Sequence, residues 1–133
     1  MNDYLLDTHA FIWSVFEPEK LGKRARLVLA DADTRIIVSS VTFWEIALKA
    51  SVGKLTLTDC TPEELPNVAE IMGFERLALE AEEAAAFHRL PKHTHKDPFD
   101  RMLIWQAIHR KLTLISKDGE FPAYGSLGLK TLW

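Results

Sequence analysis

DPFDRMLIWQAIHRKLTLISKD, residues 97–118, reads as one helix delivered into one strand. Asp97 suits a helix cap, Pro98 the first turn and Asp100 the third position. From Asp100 the apolar positions Leu103, Ile104, Ala107 and Ile108 recur at helical spacing, so this stripe must face a core if the helix packs at all. Asp100 heads the stripe, and its carboxylate is expected to point toward whatever the stripe packs against. Asp97 reads as a structural cap, with pairing to Arg101 as the alternative. The helix is expected over Pro98 to Lys111, followed by a strand over Thr113 to Ser116 that is apolar on both faces, as buried parallel strands tend to be. Asp118 stands two residues beyond that strand.

The same alternation runs through the rest of the chain. Strand candidates are Tyr4 to Leu6, Ile36 to Ser39, Arg76 to Ala78 and Lys130 to Leu132, which with Thr113 to Ser116 make five. Helical patterns run through Ala10 to Phe16, Lys23 to Ala32, Val41 to Ser51, Pro62 to Met72 and Glu80 to Arg89. Short aliphatic runs alternating with longer helical ones predict a mainly parallel α/β sheet with right-handed crossovers. At 133 residues and 47% hydrophobic content the chain has material for one packed core, so one domain is expected over 1–133. In such sheets, functional groups gather in the crevice outside the carboxyl ends of the strands.

Charge and cysteine usage narrow the function classes. Sixteen basic against nineteen acidic residues leave a net charge of -3, which provides no global attraction to a polyanion. Any nucleic-acid contact must be local. The single cysteine, Cys60, cannot close an internal disulfide, and the amino terminus lacks the pattern of a secretory signal, so a cytoplasmic setting is expected. No apolar run approaches the roughly 18 residues needed to cross a bilayer, so no membrane association is expected.

Two further acids fall where the crevice should be. Asp7 directly follows the first strand, and a doubly wound sheet commonly places that strand centrally, so Asp7 and Asp118 can converge. The structural alternatives are that Asp7 caps the following helix and that Asp118, before Gly119, forms a turn. Glu45 has Val41 and Leu48 as same-face neighbours with Trp44 alongside, which puts a carboxylate on an apolar stripe. A charge buried there needs a cation, a metal or a proton. Lys49, one helical turn away, is the alternative partner.

Asp7, Glu45, Asp100 and Asp118 together form a donor set suited to Mg²⁺ or Mn²⁺, which take oxygen ligands and remain able to bind substrate phosphates. Such an ion lowers the pKa of a water and neutralises charge on a phosphoryl oxygen; a two-ion version spaces the ions about 3.5 to 4 Å apart. Four acids support one ion or two. Without cations, the carboxylates repel and at least one pKa rises, so metal binding is expected to stabilise the fold.

LLDTH at 5–9, SSVTFWEI at 39–46, DPFDR at 97–101 and LTLISKD at 112–118 resemble, in matching order over nearly the whole chain, the PIN-domain toxins of VapC type. The resemblance implies a three-layer α/β/α sandwich and a Mg²⁺- or Mn²⁺-dependent endoribonuclease. It further implies the toxin of a toxin-antitoxin pair, a cognate antitoxin protein as partner, and a homodimer. By the family's pattern the metal-binding acids fall on Asp7, Glu45, Asp100 and Asp118. Thr8 and Ser116 match positions that support the site or contact the phosphate, and Asp97 matches an extra acid of this subgroup. The mechanistic expectation is attack of a metal-activated water on an RNA phosphodiester.

Substrate contacts are then expected from local cations: Lys96, Arg101 and Lys117 foremost, with Lys92, His93 and His95 beside them. A solvated loop is the ordinary reading of such a run. The His93 and His95 pair suits a transition metal, but no cysteine accompanies it, which argues against zinc. Phe11, Trp13, Phe16, Phe43 and Trp44 read mainly as core, with a dimer or antitoxin contact for any left outside. Two other function classes compete. A phosphoaspartate-type phosphatase wants a second aspartate two places after the nucleophile, where His9 stands after Asp7. A noncatalytic PIN-like scaffold has no need of four acids.

Overall fold

The computed structural model describes residues 3–93 and 95–133. Five strands, β1 (Asp3–Leu6), β2 (Arg35–Ser39), β3 (Glu75–Leu77), β4 (Thr113–Ile115) and β5 (Lys130–Leu132), form one sheet in the order β3-β2-β1-β4-β5. Every pairing is parallel. Around the sheet lie α1 (Thr8–Phe16), α2 (Lys23–Ala30), α3 (Ser40–Ser51), α4 (Leu65–Ile71), α5 (Ala81–Ala86) and α6 (Pro98–Arg110).

Alternation along the central strands builds a core on each face of the sheet. Leu5, Ile37 and Leu114 point to the side covered by Leu103, Ile104 and Ala107 of α6 with Phe121 and Tyr124. Leu6, Ile36, Val38 and Ile115 point to the other, covered by Ala10 and Phe11 of α1, Ala25 of α2, Ile46 of α3, and Leu65 and Ala69 of α4. Leu5, Leu6, Leu114 and Ile115 are fully buried, each contributing roughly 1.5–3 kcal/mol. The three-layer α/β/α architecture expected from the sequence is present.

The chain leaves β1 toward β2 on one side, and β4 arrives on the other. The sheet therefore switches direction at the carboxyl ends of β1 and β4, where a crevice opens. Leu6 pairs with Ile115, and the Asp7 N–H donates to the Ile115 carbonyl at 3.1 Å, so Asp7 emerges beside Ser116.

Some boundaries depart from expectation for local reasons. Pro66 has no N–H to give the Pro62 carbonyl, so the pattern over 62–72 divides into a 3-10 turn at Pro62–Glu64 and α4. The pattern over 80–89 divides into α5 and a 3-10 turn at Phe87–Arg89, just before the Leu90-Pro91 step that disfavours helix. Helix α6 stops at Arg110, and Lys111 caps it in the left-handed conformation at φ 58°. A 3-10 segment at Phe121–Leu127, absent from the sequence reading, buries Phe121 and Tyr124, three residues apart as that helix aligns them.

Helix α3 sits rotated from the expected stripe. Val41, Thr42, Glu45 and Ile46 are buried, whereas Trp44 is 61% and Leu48 42% exposed. The inward edge is one residue over because α3 straddles both cores, giving Val41 to one and Ile46 to the other. Glu45 remains inward, as expected.

Candidate active site

Asp7, Asp100 and Asp118 line one cleft of ≈ 390 Å³ with His9, Trp13, Lys117 and Phe121. Asp7 is both helix cap and cleft residue: Oδ1 accepts from the Ala10 N–H at 2.8 Å, yet the side chain borders the cleft. Burial raises its carboxyl to about 6, against hydrogen bonds from Ser116 and Ala10, and the nearby Asp100 charge pushes the same way as burial. Asp118 likewise combines both readings, since Oδ1 accepts from the Glu120 N–H at 2.8 Å within the turn after β4. Ser116 Oγ accepts from the Asp118 N–H at 3.1 Å, which fixes where that aspartate starts.

Asp100 enters from the first turn of α6. Asp97 caps that helix, its Oδ1 accepting from the Phe99 and Asp100 N–H groups at 2.8 and 3.0 Å. The alternative pairing of Asp97 with Arg101 is not made. Burial raises the Asp100 carboxyl, the charges of Asp97 and Glu45 add to that, and a hydrogen bond with His95 opposes it.

Glu45 lies one step away. It is 2% exposed and borders a neighbouring groove with Thr8, His9, Lys49 and Lys54 rather than the cleft of the three aspartates. Thr8 Oγ1 donates to Glu45 Oε1 at 2.6 Å, and Lys49 forms an ion pair with Oε2. The Lys49 ammonium is disfavoured by burial, but Glu45, Asp97 and Asp100 more than offset this and raise its pKa. The structure thus contains the Lys49 pair, and the same lysine feels the acids across the crevice.

His95, read from the sequence as one cation of a run and, with His93, as a pair suited to a transition metal, sits inside the acid cluster. It is 9% exposed; Nε2 lies 2.9 Å from Asp100 Oδ2, Nδ1 lies 3.0 Å from Glu120 Oε2, and Asp118 Oδ2 is 4.0 Å from Nδ1. Burial lowers its pKa, but Glu120, Asp100 and Asp118 outweigh that and the net shift is upward. The loop before α6 therefore contributes a buried imidazole where a solvated cation was expected. Glu120 and the wall residues His9 and Trp13 were missed; only proximity to Asp118 and Asp7 in the chain could have flagged them.

The remaining cation candidates divide. Lys117 lines the acid cleft, its ammonium 5.8 Å from the Trp13 ring centroid. Lys96 and Arg101 line a separate hollow with Lys92, His93 and His95. Arg101 also donates to the Tyr124 hydroxyl and to the Leu90 and Pro91 carbonyls at 3.1 to 3.2 Å. His93 packs on Tyr124 at 4.8 Å. Of the five aromatics, Phe11 is fully buried and Trp44 is largely exposed.

The donors suit a divalent ion. Two aspartates arrive from adjacent strand ends and a third from a helix start, and the cost of keeping Asp7 buried shows in its raised pKa. A bound cation would relieve that cost.

The chain is similar to known proteins over nearly its whole length. A family model described as PIN domain matches residues 4–127. The chain is 26% identical over 133 residues, the whole of both chains, to Ribonuclease VapC22 of Mycobacterium tuberculosis (strain ATCC 25618 / H37Rv). A chain in the crystal structure of DNA bound VapBC from Salmonella typhimurium superposes with a TM-score of 0.66 at 20% identity, covering 99% of this chain and 98% of that one. One in the structure of VapBC2 from Rickettsia felis bound to a promoter DNA fragment gives 0.65 at 16% identity, covering 98% and 97%. Both superpositions show a shared fold.

Proposed function

The chain belongs to the PIN-domain family, and from that premise we propose that it is a Mg²⁺- or Mn²⁺-dependent endoribonuclease serving as the toxin of a toxin-antitoxin pair. The observation that carries the reading is the convergence of Asp7, Asp100 and Asp118 on one cleft with Lys117 at its wall. The ribonuclease name of the full-length relative and the VapBC complexes among the structural neighbours support the substrate class and an antitoxin partner.

Asp7, Asp100 and Asp118 hold the ion or ions, and Glu45, set back with Thr8 and Lys49, orients the surrounding groups. When bound, a divalent ion supplies an acidified water and neutralises charge developing on the phosphoryl oxygens. Lys117 meets an RNA phosphate locally, which a chain of net charge -3 requires. Ser116 fixes the Asp118 turn, and Asp97 holds the first turn of α6 so that Asp100 is presented to the cleft. Lys96 and Arg101 line the adjoining hollow and extend the path of the strand. The largely exposed aromatic Trp44 belongs to a surface for a second copy in a homodimer. Among the described residues no helix is long and apolar enough to cross a membrane, and a cytoplasmic location fits a toxin directed at RNA.

The test is cleavage of total RNA by the purified protein with Mg²⁺ or Mn²⁺, beside chelator and Asp7→Asn. Cleavage that needs both metal and Asp7 is the expected result. Metal-independent cleavage, or full activity in Asp7→Asn, overturns it, and a folded protein that neither cleaves nor binds metal points to a scaffold.

A further inference from the structure

His95 is in an unusual position for a loop histidine. One ligand atom from each of His95, Asp100 and Asp118 lies within 4.8 Å of the others. His95 Nε2 meets Asp100 Oδ2, one of the cleft aspartates, while Nδ1 meets Glu120 Oε2, whose side chain is 62% exposed, with Asp118 Oδ2 at 4.0 Å from the same nitrogen. The ring packs edge-on against Phe121 at 5.3 Å and 82°. One turn, residues 116–121, thus supplies Asp118 to the cleft, Glu120 to the far nitrogen of His95 and Phe121 to its face.

We propose that His95 is itself a ligand, with Asp100 and Asp118, of an ion in the cleft, that Glu120 orients it, and that this nitrogen makes the site favour Mn²⁺ over Mg²⁺. The inference rests on the metal-dependent reading above and adds a ligand outside the four acids. Neighbouring donors around an ion with bonds of about 2.1 Å stand about 3 Å apart, so the 2.9 Å separation of Nε2 and Asp100 Oδ2 suits two ligands of one ion. A ligating histidine almost always donates its other ring N–H to a carboxylate or carbonyl, which fixes tautomer and orientation, and Glu120 occupies that place. Mg²⁺ prefers oxygen donors and retains water, whereas imidazole suits first-row transition ions, with Mn²⁺ accepting both donor types. A histidine acting only as counter-charge to the acids has no reason to discriminate between the two ions.

The full chain, freed of metal by chelator, is titrated calorimetrically with MnCl₂ and with MgCl₂, and electron spin echo modulation is recorded on the Mn²⁺-loaded protein. Wild type is expected to bind Mn²⁺ more tightly and to show nitrogen modulation from a coordinated imidazole. His95→Ala and His95→Gln should lose that modulation and weaken Mn²⁺ by about tenfold or more while Mg²⁺ changes little. Glu120→Gln should fall between. His9→Ala, which removes the imidazole that lines the cleft wall, should retain the modulation. Mn²⁺ binding without nitrogen modulation in wild type overturns the assignment and leaves the nuclease reading intact, as does an equal loss of Mn²⁺ and Mg²⁺ in the His95 variants or loss of the signal in His9→Ala. Failure of wild type to bind either ion overturns both.

Discussion

Thr8 donates its hydroxyl hydrogen to Glu45 Oε1 at 2.6 Å, joining the first turn of α1 to the inward edge of α3. Both side chains are buried, at 4% and 2% exposure, so the carboxylate oxygen has no water to replace a lost donor. Thr8→Val keeps the shape and removes the donor, leaving a buried charged acceptor with Lys49 alone. The expected cost is about 1–3 kcal/mol of stability, read from denaturant unfolding. Thr8→Ser, which keeps the hydroxyl, should recover most of it. RNA cleavage should fall in Thr8→Val even where the protein is fully folded, because Glu45 is then free to turn toward Lys49.

The buried Asp7 carboxyl predicts an inverted response to pH in metal-free protein. Its native pKa of about 6 lies above its ordinary 3.8, so the folded state binds the extra proton between those values. The Asp7 contribution is therefore unpenalised below about pH 4, worsens as pH rises through the window to 6, and is fully unfavourable above it. The displacement corresponds to a penalty on the order of 3 kcal/mol at pH 7. Asp7→Asn, which can still cap α1, should melt above wild type at pH 7 without metal, with the gap closing near pH 4. Saturating Mn²⁺ should reverse the order at pH 7. A gap that does not vary with pH would show that ionisation of Asp7 is not its cause.

Much of this site was readable because strand ends and helix starts are local features. Asp7 and Asp118 could be placed at carboxyl ends from short aliphatic runs, and Asp100 at the head of a stripe, and all three line the cleft. The five strands were placed within a residue or so; β1, β2 and β4 are built on apolar or β-branched runs, whereas β3 (Glu75, Arg76, Leu77) and β5 (Lys130, Thr131, Leu132) are short, largely polar segments. What periodicity cannot supply is rotation about an axis or tertiary partnership. Trp44 and Leu48 turn outward because α3 divides between two cores, and only the packed sheet decides which of its edges faces in. His95 and Glu120 stand 25 residues apart and meet because α6 and β4 return the chain to the same rim. Nothing in the spacing of either one announces that.

The Glu83 cluster predicts a stability effect with no role for the cleft. Glu83 is 3% exposed and accepts from Arg110 Nε at 2.8 Å and from Gln106 Nε2 at 3.0 Å, while Gln106 in turn accepts from Ser39 at 2.5 Å. Burial pushes the Glu83 carboxyl up, but Arg110 and Gln106 outweigh it and the net shift is downward. Its stabilisation is present above the ordinary glutamate range and lost as pH falls through the lowered value. Glu83→Ala leaves the buried Gln106 amide and the part-exposed Arg110 guanidinium without their acceptor and should cost about 1–3 kcal/mol, with Glu83→Gln losing less. The Kd for Mn²⁺ should be unchanged in any variant that remains folded, since Glu83 lies apart from the acid cleft.

Lys117 predicts a kinetic signature distinct from that of the acids. Its ammonium stands by the Trp13 ring at 5.8 Å and lines the cleft with Asp7, Asp100 and Asp118, so it is the cation placed to meet a phosphate entering there. Lys117→Met keeps the apolar stem against Trp13 and removes only the charge. The loss should fall mainly on KM, with kcat reduced far less, because the contact is made in the ground state as well as the transition state. One fewer phosphate contact on a single strand should also reduce the slope of log affinity against log salt by about 0.7. The measurement is RNA binding by the cleavage-inactive Asp7→Asn protein, with and without Lys117→Met, across a series of salt concentrations. An unchanged slope would mean that Lys117 remains with Trp13 and that the phosphate is met by Lys96 or Arg101 in the adjoining hollow instead.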